Sequence, residues 1–138
     1  MKSKTKFIVR YVETDQMGVV HHSVYPIWYE AARTDFIKKA GLPYSEMEKQ
    51  GIMLPVLEVK CRYKSFARYE DEITVEAYIK ELTGTRVIFG YQVYKNDDPK
   101  CINEGETMHV WAGRDLRPVN MKKYALDVYN FFEKLANK

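Results

Sequence analysis

The sequence predicts an α+β domain: an antiparallel sheet of about five strands curled around one long helix, with a second helix at the C-terminus. Three observations predict it. Residues 23–40 carry apolar side chains at helical spacing over a wide stripe, so much of that helix has to be buried. Strand patterns follow in succession, each with one apolar and one mixed face. Their links include short turn sequences, Thr83-Gly84 and Asn96-Asp97-Asp98-Pro99, which make neighbouring strands antiparallel.

Taken in order, residues 5–12 alternate, with Phe7, Val9 and Tyr11 on one face, and read as a first strand. Gly18 supplies a flexible point in the connection that follows. The long helix has Pro26 in its first turn, where proline is tolerated. Tyr25, Trp28, Tyr29, Ala32, Phe36 and Ala40 form its stripe, widened by Ile27, Ala31 and Ile37. Lys38 and Lys39 suit its C-terminal end, and Gly41 and Pro43 stop it. A short helical piece over 44–50 leads to four strands read as a meander. Their apolar sets are Met53, Pro55, Leu57, Val59, Cys61 and Tyr63; Ile73, Val75, Ala77 and Ile79; Val87, Phe89, Tyr91 and Val93; and Ile102, Met108, Val110 and Ala112. In the last strand, Asn103, Thr107, His109 and Trp111 make the other face. Residues 120–135 read as one amphipathic helix with Met121, Tyr124, Ala125, Val128, Phe132 and Leu135 inward. An antiparallel sheet with an open edge invites subunit pairing.

The length of 138 residues suits one domain, 1–138, and 46% hydrophobic content is enough for a core. The net charge of +3 permits an anionic small-molecule partner but gives no clustered basic stripe for nucleic acid. No apolar run approaches the ~20 residues that span a bilayer, and the basic N-terminus lacks the apolar stretch of a signal peptide. The expected location is the cytoplasm, with Cys61 and Cys101 reduced. No Cys/His cluster has metal spacing, and no P-loop or GxGxxG turn is present.

Chemistry concentrates in the stretch from Glu13 to Tyr25, which joins the first strand to the long helix. Asp15 is the acidic residue placed in the turn. On residue type alone it is either a turn or N-cap residue or a carboxylate set for reaction. The helix start just after Gly18 offers free backbone N–H groups and a positive dipole end.

The run Tyr11-x-x-Thr14-Asp15-x-Met17-Gly18-Val19-Val20-x-His22-x-x-Tyr25-x-x-Trp28-x-Glu30 closely resembles the signature of hotdog-fold acyl-CoA thioesterases. The branch is that of 4-hydroxybenzoyl-CoA thioesterase and the Tol–Pal-associated acyl-CoA thioester hydrolases. Glu30-Ala31-Ala32-Arg33, Ala67-Arg68-Tyr69-Glu70-Asp71 and Gly84-Thr85 extend the resemblance, which covers residues 7–112. It implies a hotdog fold, hydrolysis of an acyl-CoA thioester, no cofactor beyond the CoA of the substrate, no metal, and assembly into homodimers or homotetramers with the active site between subunits.

By the same resemblance, Asp15 attacks the thioester carbonyl or activates a water. Backbone amides from Gly18 to His22, with Gly18, Val19 and Val20 foremost, polarise its oxygen. His22 matches the motif histidine and can orient the carbonyl or hold Asp15. His21 stands where the branch often has tyrosine and receives no role. Tyr11 can bond the carboxylate or line the acyl pocket, with core packing as an equal alternative. Tyr25 and Trp28 are read as structural, and Glu30 as structural or supporting. Lys64, Arg68 and Arg86 are candidate contacts for CoA phosphates, with a solvated surface charge as the alternative for each. The alternatives in function are an acyl-carrier-protein thioesterase and a non-catalytic acyl-CoA or acyl-carrier binding protein. A hotdog hydratase would need a differently spaced histidine–carboxylate pair, which is absent.

Overall fold

The structure is a computed structural model and describes residues 1–137. Strand β1 (Lys2–Ile8) leads to a 3-10 turn at Tyr11–Glu13, then helix α1 (Val24–Ala40) and the short α2 (Tyr44–Lys49). Strands β2 (Val56–Tyr63), β3 (Glu72–Leu82), β4 (Arg86–Lys95) and β5 (Asn103–Val110) follow. Helices α3 (Met121–Tyr124) and α4 (Leu126–Ala136) close the chain. The first strand starts before its alternating pattern over 5–12 and ends sooner, at Ile8. Beyond Ile8, the Arg10 N–H is taken by the Glu13 carboxylate at 2.8 Å, and the chain winds into the turn instead of continuing the ladder.

The five strands form one antiparallel sheet in the order β1-β3-β4-β5-β2. Only β3, β4 and β5 form the expected meander; β2 crosses to the far edge and pairs with β5. The link over residues 64–71 separates β2 from β3, longer than the 2–5 residues of a hairpin loop. It is engaged elsewhere: Ala67 O accepts the Val20 N–H at 2.9 Å, and Asp71 O accepts the Val9 N–H at 2.9 Å. Helix α1 packs against β1, β2 and β3, so both edge strands and an inner strand reach it and the sheet wraps the helix. Its buried side chains are Val24, Tyr25, Trp28, Tyr29, Ala32, Arg33, Phe36 and Ile37.

Strands β3 and β4 bury their apolar sets as their alternation requires. On β5 the mixed face is the buried one: Asn103, Thr107 and His109 are inside, while Met108 and Val110 are half-buried. The reason is a polar network from α1. The Tyr29 hydroxyl donates to Asn103 Oδ1, and the Tyr29 and Tyr91 rings stack at 4.3 Å. Arg33 Nη1 donates to Tyr91 Oη at 3.0 Å, Tyr91 Oη lies 2.7 Å from Thr107 Oγ1, and Thr107 Oγ1 lies 2.8 Å from His109 Nε2. His109 Nδ1 is 3.1 Å from Leu54 O. A carbonyl only accepts, so Nδ1 carries the proton and Nε2 of the neutral ring accepts from Thr107. Thr107 in turn accepts from Tyr91, and every bond runs in one direction from Arg33.

The C-terminal helix breaks at Ala125, with φ −154° and ψ 76°. Asn120 caps the first piece by accepting the Lys122 N–H at 3.0 Å. Met121, Val128, Tyr129, Phe132 and Leu135 are buried, and Trp111 meets Phe132 edge-on at 4.9 Å. Tyr124 departs from the stripe and donates its hydroxyl to Gly51 O at 3.2 Å.

Burial first, and then the Arg33 charge, hold the His109 imidazole down at about 4, from an ordinary 6.5. Between those values the unfolded chain binds a proton that the folded chain does not. Stability therefore stands full above the unfolded value and declines as pH falls toward 4, by on the order of 3 kcal/mol from this group. Urea midpoints measured across that window should fall with pH. His109→Gln, which cannot titrate, should flatten the slope.

Candidate active site

The loop after the 3-10 turn closes on itself. The Asp15 N–H donates to Val19 O at 2.9 Å, and Asp15 O accepts the Gly18 N–H at 2.9 Å. Asp15 Oδ1 accepts the Met17 N–H at 2.8 Å, the Asx turn that aspartate favours. Gly18 has φ +79°, a conformation open to glycine at little steric cost. Thr14 and Val20 bridge the two limbs. The turn role and a chemical role of Asp15 are therefore compatible. One carboxylate oxygen serves the turn; Oδ2 has neither hydrogen bond nor ion pair among the described residues.

Asp15 lines an open cavity of about 1210 Å³ together with Tyr11, Val12, Thr14, Gly18, His21, Ser23, Val24 and Tyr69. Tyr11 is 78% exposed, which excludes core packing. Its ring meets that of Tyr69 edge-on at 5.6 Å. Tyr69 comes from the 64–71 link, which three backbone bonds hold against the loop: Val20 N to Ala67 O, Val9 N to Asp71 O, and Glu70 N to Val9 O.

The nominated amides divide. The Gly18 N–H is engaged by Asp15 O and the Val20 N–H by Ala67 O, so neither is free to receive an oxyanion. The Val19 and His22 N–H groups have no acceptor among the described residues. The helix begins at Val24 with Ser23 as its N-cap, in line with the 23–40 pattern, and so does not start just after Gly18. Residues 18–20 are the return limb of the loop, and the helix dipole ends beyond them.

The structure puts His21, not His22, on the cavity wall. The Ser23 N–H reaches His21 Nδ1 at 3.2 Å, and the Ser23 hydroxyl lies 2.8 Å from the same atom. An N–H only donates, so Nδ1 accepts and the neutral ring carries its proton on Nε2. The His22 ring is exposed and packs on that of His21 at 4.1 Å. The His22 carbonyl accepts the Tyr63 hydroxyl at 2.9 Å, tying this segment to β2.

Arg68 is beside the loop: its Nη1 lies 3.7 Å from where a Gly18 Cβ would be. Lys64 sits at the same end of the sheet, 3.2 Å from the half-buried Glu104, in a solvent-accessible ion pair that contributes little. Arg86 is at the opposite end of β4 from Lys95, whose Nζ bonds Phe66 O in the link at 2.7 Å. That is roughly 30 Å along the strand, so Arg86 cannot reach Asp15 within one chain. Glu30 lines a separate depression with Arg33 and Tyr44. Tyr25 is buried, and Trp28 is buried with its indole N–H on Glu13 at 3.1 Å. Among the described residues no group of His, Cys, Asp and Glu is arranged to hold a metal.

Residues 9–129 match the thioesterase-like superfamily. This chain belongs to that superfamily. YneP of Bacillus subtilis, provisionally named an acyl-CoA thioesterase, is 34% identical over 133 residues, 96% of each chain. YbgC of Escherichia coli, named an acyl-CoA thioester hydrolase, is 28% identical over 118 residues, 86% of this chain and 84% of that one. A solved DHNA-CoA thioesterase from Staphylococcus aureus superposes with a TM-score of 0.89 at 31% identity, covering 96% of this chain and 89% of that one. The family expected from the motif is borne out, and so is the hotdog fold.

Residue-by-residue reasoning left Glu13, His21 and Tyr69 without roles. Tyr69 had a signal, since it lies in the Ala67–Asp71 run that carries part of the resemblance. The burial of Glu13 and the exposure of His21 to the cavity had none.

Replacing Gly18 by Ala tests the loop. A Cβ there meets only Arg68 at an ordinary 3.7 Å, so the penalty is conformational. Gly18→Ala should destabilise by about 1–2 kcal/mol in urea denaturation, and Gly18→Asn by less.

Proposed function

We propose that this chain is an acyl-CoA thioesterase that hydrolyses an acyl-CoA thioester to the free acid and CoA. The observation that carries the reading is Asp15, on the wall of an open cavity with one carboxylate oxygen fixed by the Met17 N–H and the other unpartnered. A thioester carbonyl needs a nucleophile, donors for the developing oxyanion and a leaving thiolate. In the nucleophilic route, Asp15 Oδ2 bonds the carbonyl carbon, the C–S bond breaks, and water hydrolyses the resulting anhydride. In the general-base route, the same oxygen takes a proton from the attacking water. Either way charge develops on the carbonyl oxygen, and of the amides from Gly18 to His22 those of Val19 and His22 are the ones left open to serve as donors. One such donor contributes ~2.7–4 kcal/mol of barrier lowering.

The acyl group lies against Tyr11, Val12 and Tyr69, exposed apolar side chains beside Asp15. Arg68, and Lys64 released from its ion pair, serve the CoA phosphates. The chemistry needs no cofactor or metal, because CoA arrives with the substrate. The names of YneP and YbgC support this reading, and the free thiols of Cys61 and Cys101 suit the cytoplasm. No described helix is long and apolar enough to cross a membrane.

The working form is a homodimer or homotetramer. Edge strand β2 carries Val56, Leu57, Val59 and Tyr63 at 45–54% exposure, an edge that invites pairing with a second copy. Tyr63 holds the His22 carbonyl, so a partner on β2 stands next to the loop.

Asp15→Asn keeps an oxygen for the Met17 N–H and removes the anion. Its turnover should fall by about 10²–10⁴-fold with circular dichroism unchanged; near-normal turnover would sink the mechanism. The assay follows thiol release from short-chain, long-chain and aromatic acyl-CoAs, with acyl-carrier-protein thioesters as the rival substrate. Binding without thiol release by the unmodified protein would favour a non-catalytic module. Light scattering should give a dimer or tetramer, and a monomer would contradict a site completed by a second chain.

A further inference from the structure

Glu13 is the only carboxylate side chain buried among the described residues, at 6% exposure. It lies two residues before Asp15 and is not on the cavity wall. Its Oε1 accepts the Arg10 N–H at 2.8 Å, and its Oε2 accepts the Trp28 indole N–H at 3.1 Å and an Arg10 guanidinium N–H at 3.4 Å. Its carbonyl accepts the His21 N–H at 2.9 Å. Side chain and backbone of one residue therefore hold opposite ends of the structure around Asp15. The carboxylate anchors the loop's entry to the second turn of α1, and the carbonyl anchors its exit. A buried carboxylate is costly unless its oxygens are well bonded, and both of these are.

We propose that Glu13 is the positioning residue of the site. Through Trp28 and His21 it fixes the Asp15 loop, and with it the open Val19 and His22 amides, relative to α1. This rests on the thioesterase reading. Glu13 touches no substrate; it sets the angle at which the Asp15 carboxylate and the oxyanion donors converge on one carbonyl. A misplacement of about 1 Å in such a geometry costs on the order of 10²-fold in rate.

The sequence contains two tryptophans, and they make the proposal readable. The Trp28 indole N–H bonds a carboxylate, while the buried Trp111 indole N–H has no partner and serves as an internal reference. Glu13→Gln presents one acceptor oxygen and one NH2, so either Arg10 or Trp28 meets a donor in place of an acceptor. Trp28→Phe approaches from the other side, keeping a ring against Phe7 and Tyr25 and removing the N–H.

In the Glu13→Gln spectrum, the Trp28 indole signal should shift while that of Trp111 stays. The Met17 amide, bonded to Asp15 Oδ1, should shift with it and report that the loop has moved. Both variants should lose about tenfold or more in kcat with KM within about twofold, and the double variant should lose less than the product of the two. An unchanged kcat alongside a displaced Trp28 signal would overturn the proposal. So would a Met17 amide that does not move, or failure of both variants to fold, either of which would make Glu13 a stability element only. An unmodified protein that releases no thiol from any substrate would instead sink the thioesterase reading. The Met17 shift would then still decide whether Glu13 positions the loop.

Discussion

Burying α1 is the constraint on which the rest of the structure depends. Its apolar stripe is too wide for contact with a flat layer, so β1, β2 and β3 all come to it and the sheet wraps around it. Wrapping brings the loop that follows β1 and the link that follows β2 to the same end of the helix. Three backbone bonds then join them. The candidate site is a consequence of that closure, because the Asp15 loop and Tyr69 come from segments more than fifty positions apart.

The same constraint explains the polar interior. Tyr29 and Arg33 lie on the buried side of α1, and their hydroxyl and guanidinium groups need partners out of water. Strand β5 supplies them by turning Asn103, Thr107 and His109 inward. The result is an oriented chain of hydrogen bonds from Arg33 to Leu54 O, with His109 kept neutral by its burial. Ordering of this kind favours one packing of helix on sheet, because any slip in register breaks several bonds at once.

Within the loop, structural and chemical demands fall on different atoms of Asp15. Its backbone and Oδ1 close the turn, which leaves Oδ2 free of partners. Glu13 divides its labour in a similar way, between the helix and the loop's exit. A short segment can thus close on itself and still expose an unpartnered carboxylate oxygen.

The sequence by itself determined the element types, the burial of α1, the apolar inner faces of β3 and β4, and the motif that carries the family. Each of these follows from periodicity or from residue type at fixed spacing, which are local properties. Asp15 was legible for the same reason, since a carboxylate beside a glycine turn is a local pattern. The tertiary structure alone decided that β2 crosses to the far edge, because the 64–71 link answers to Val9 and Val20 rather than to its own strands. It also decided that β5 buries its polar face, that the Gly18 and Val20 amides are already engaged, and that Arg86 lies at the wrong end of the sheet. Each of those outcomes depends on a partner distant in the chain, and hydrogen bonds to distant partners leave no periodic trace. Asp15 was visible from its own stretch of chain, but the residues that hold it in place could be found only once the sheet had closed around α1.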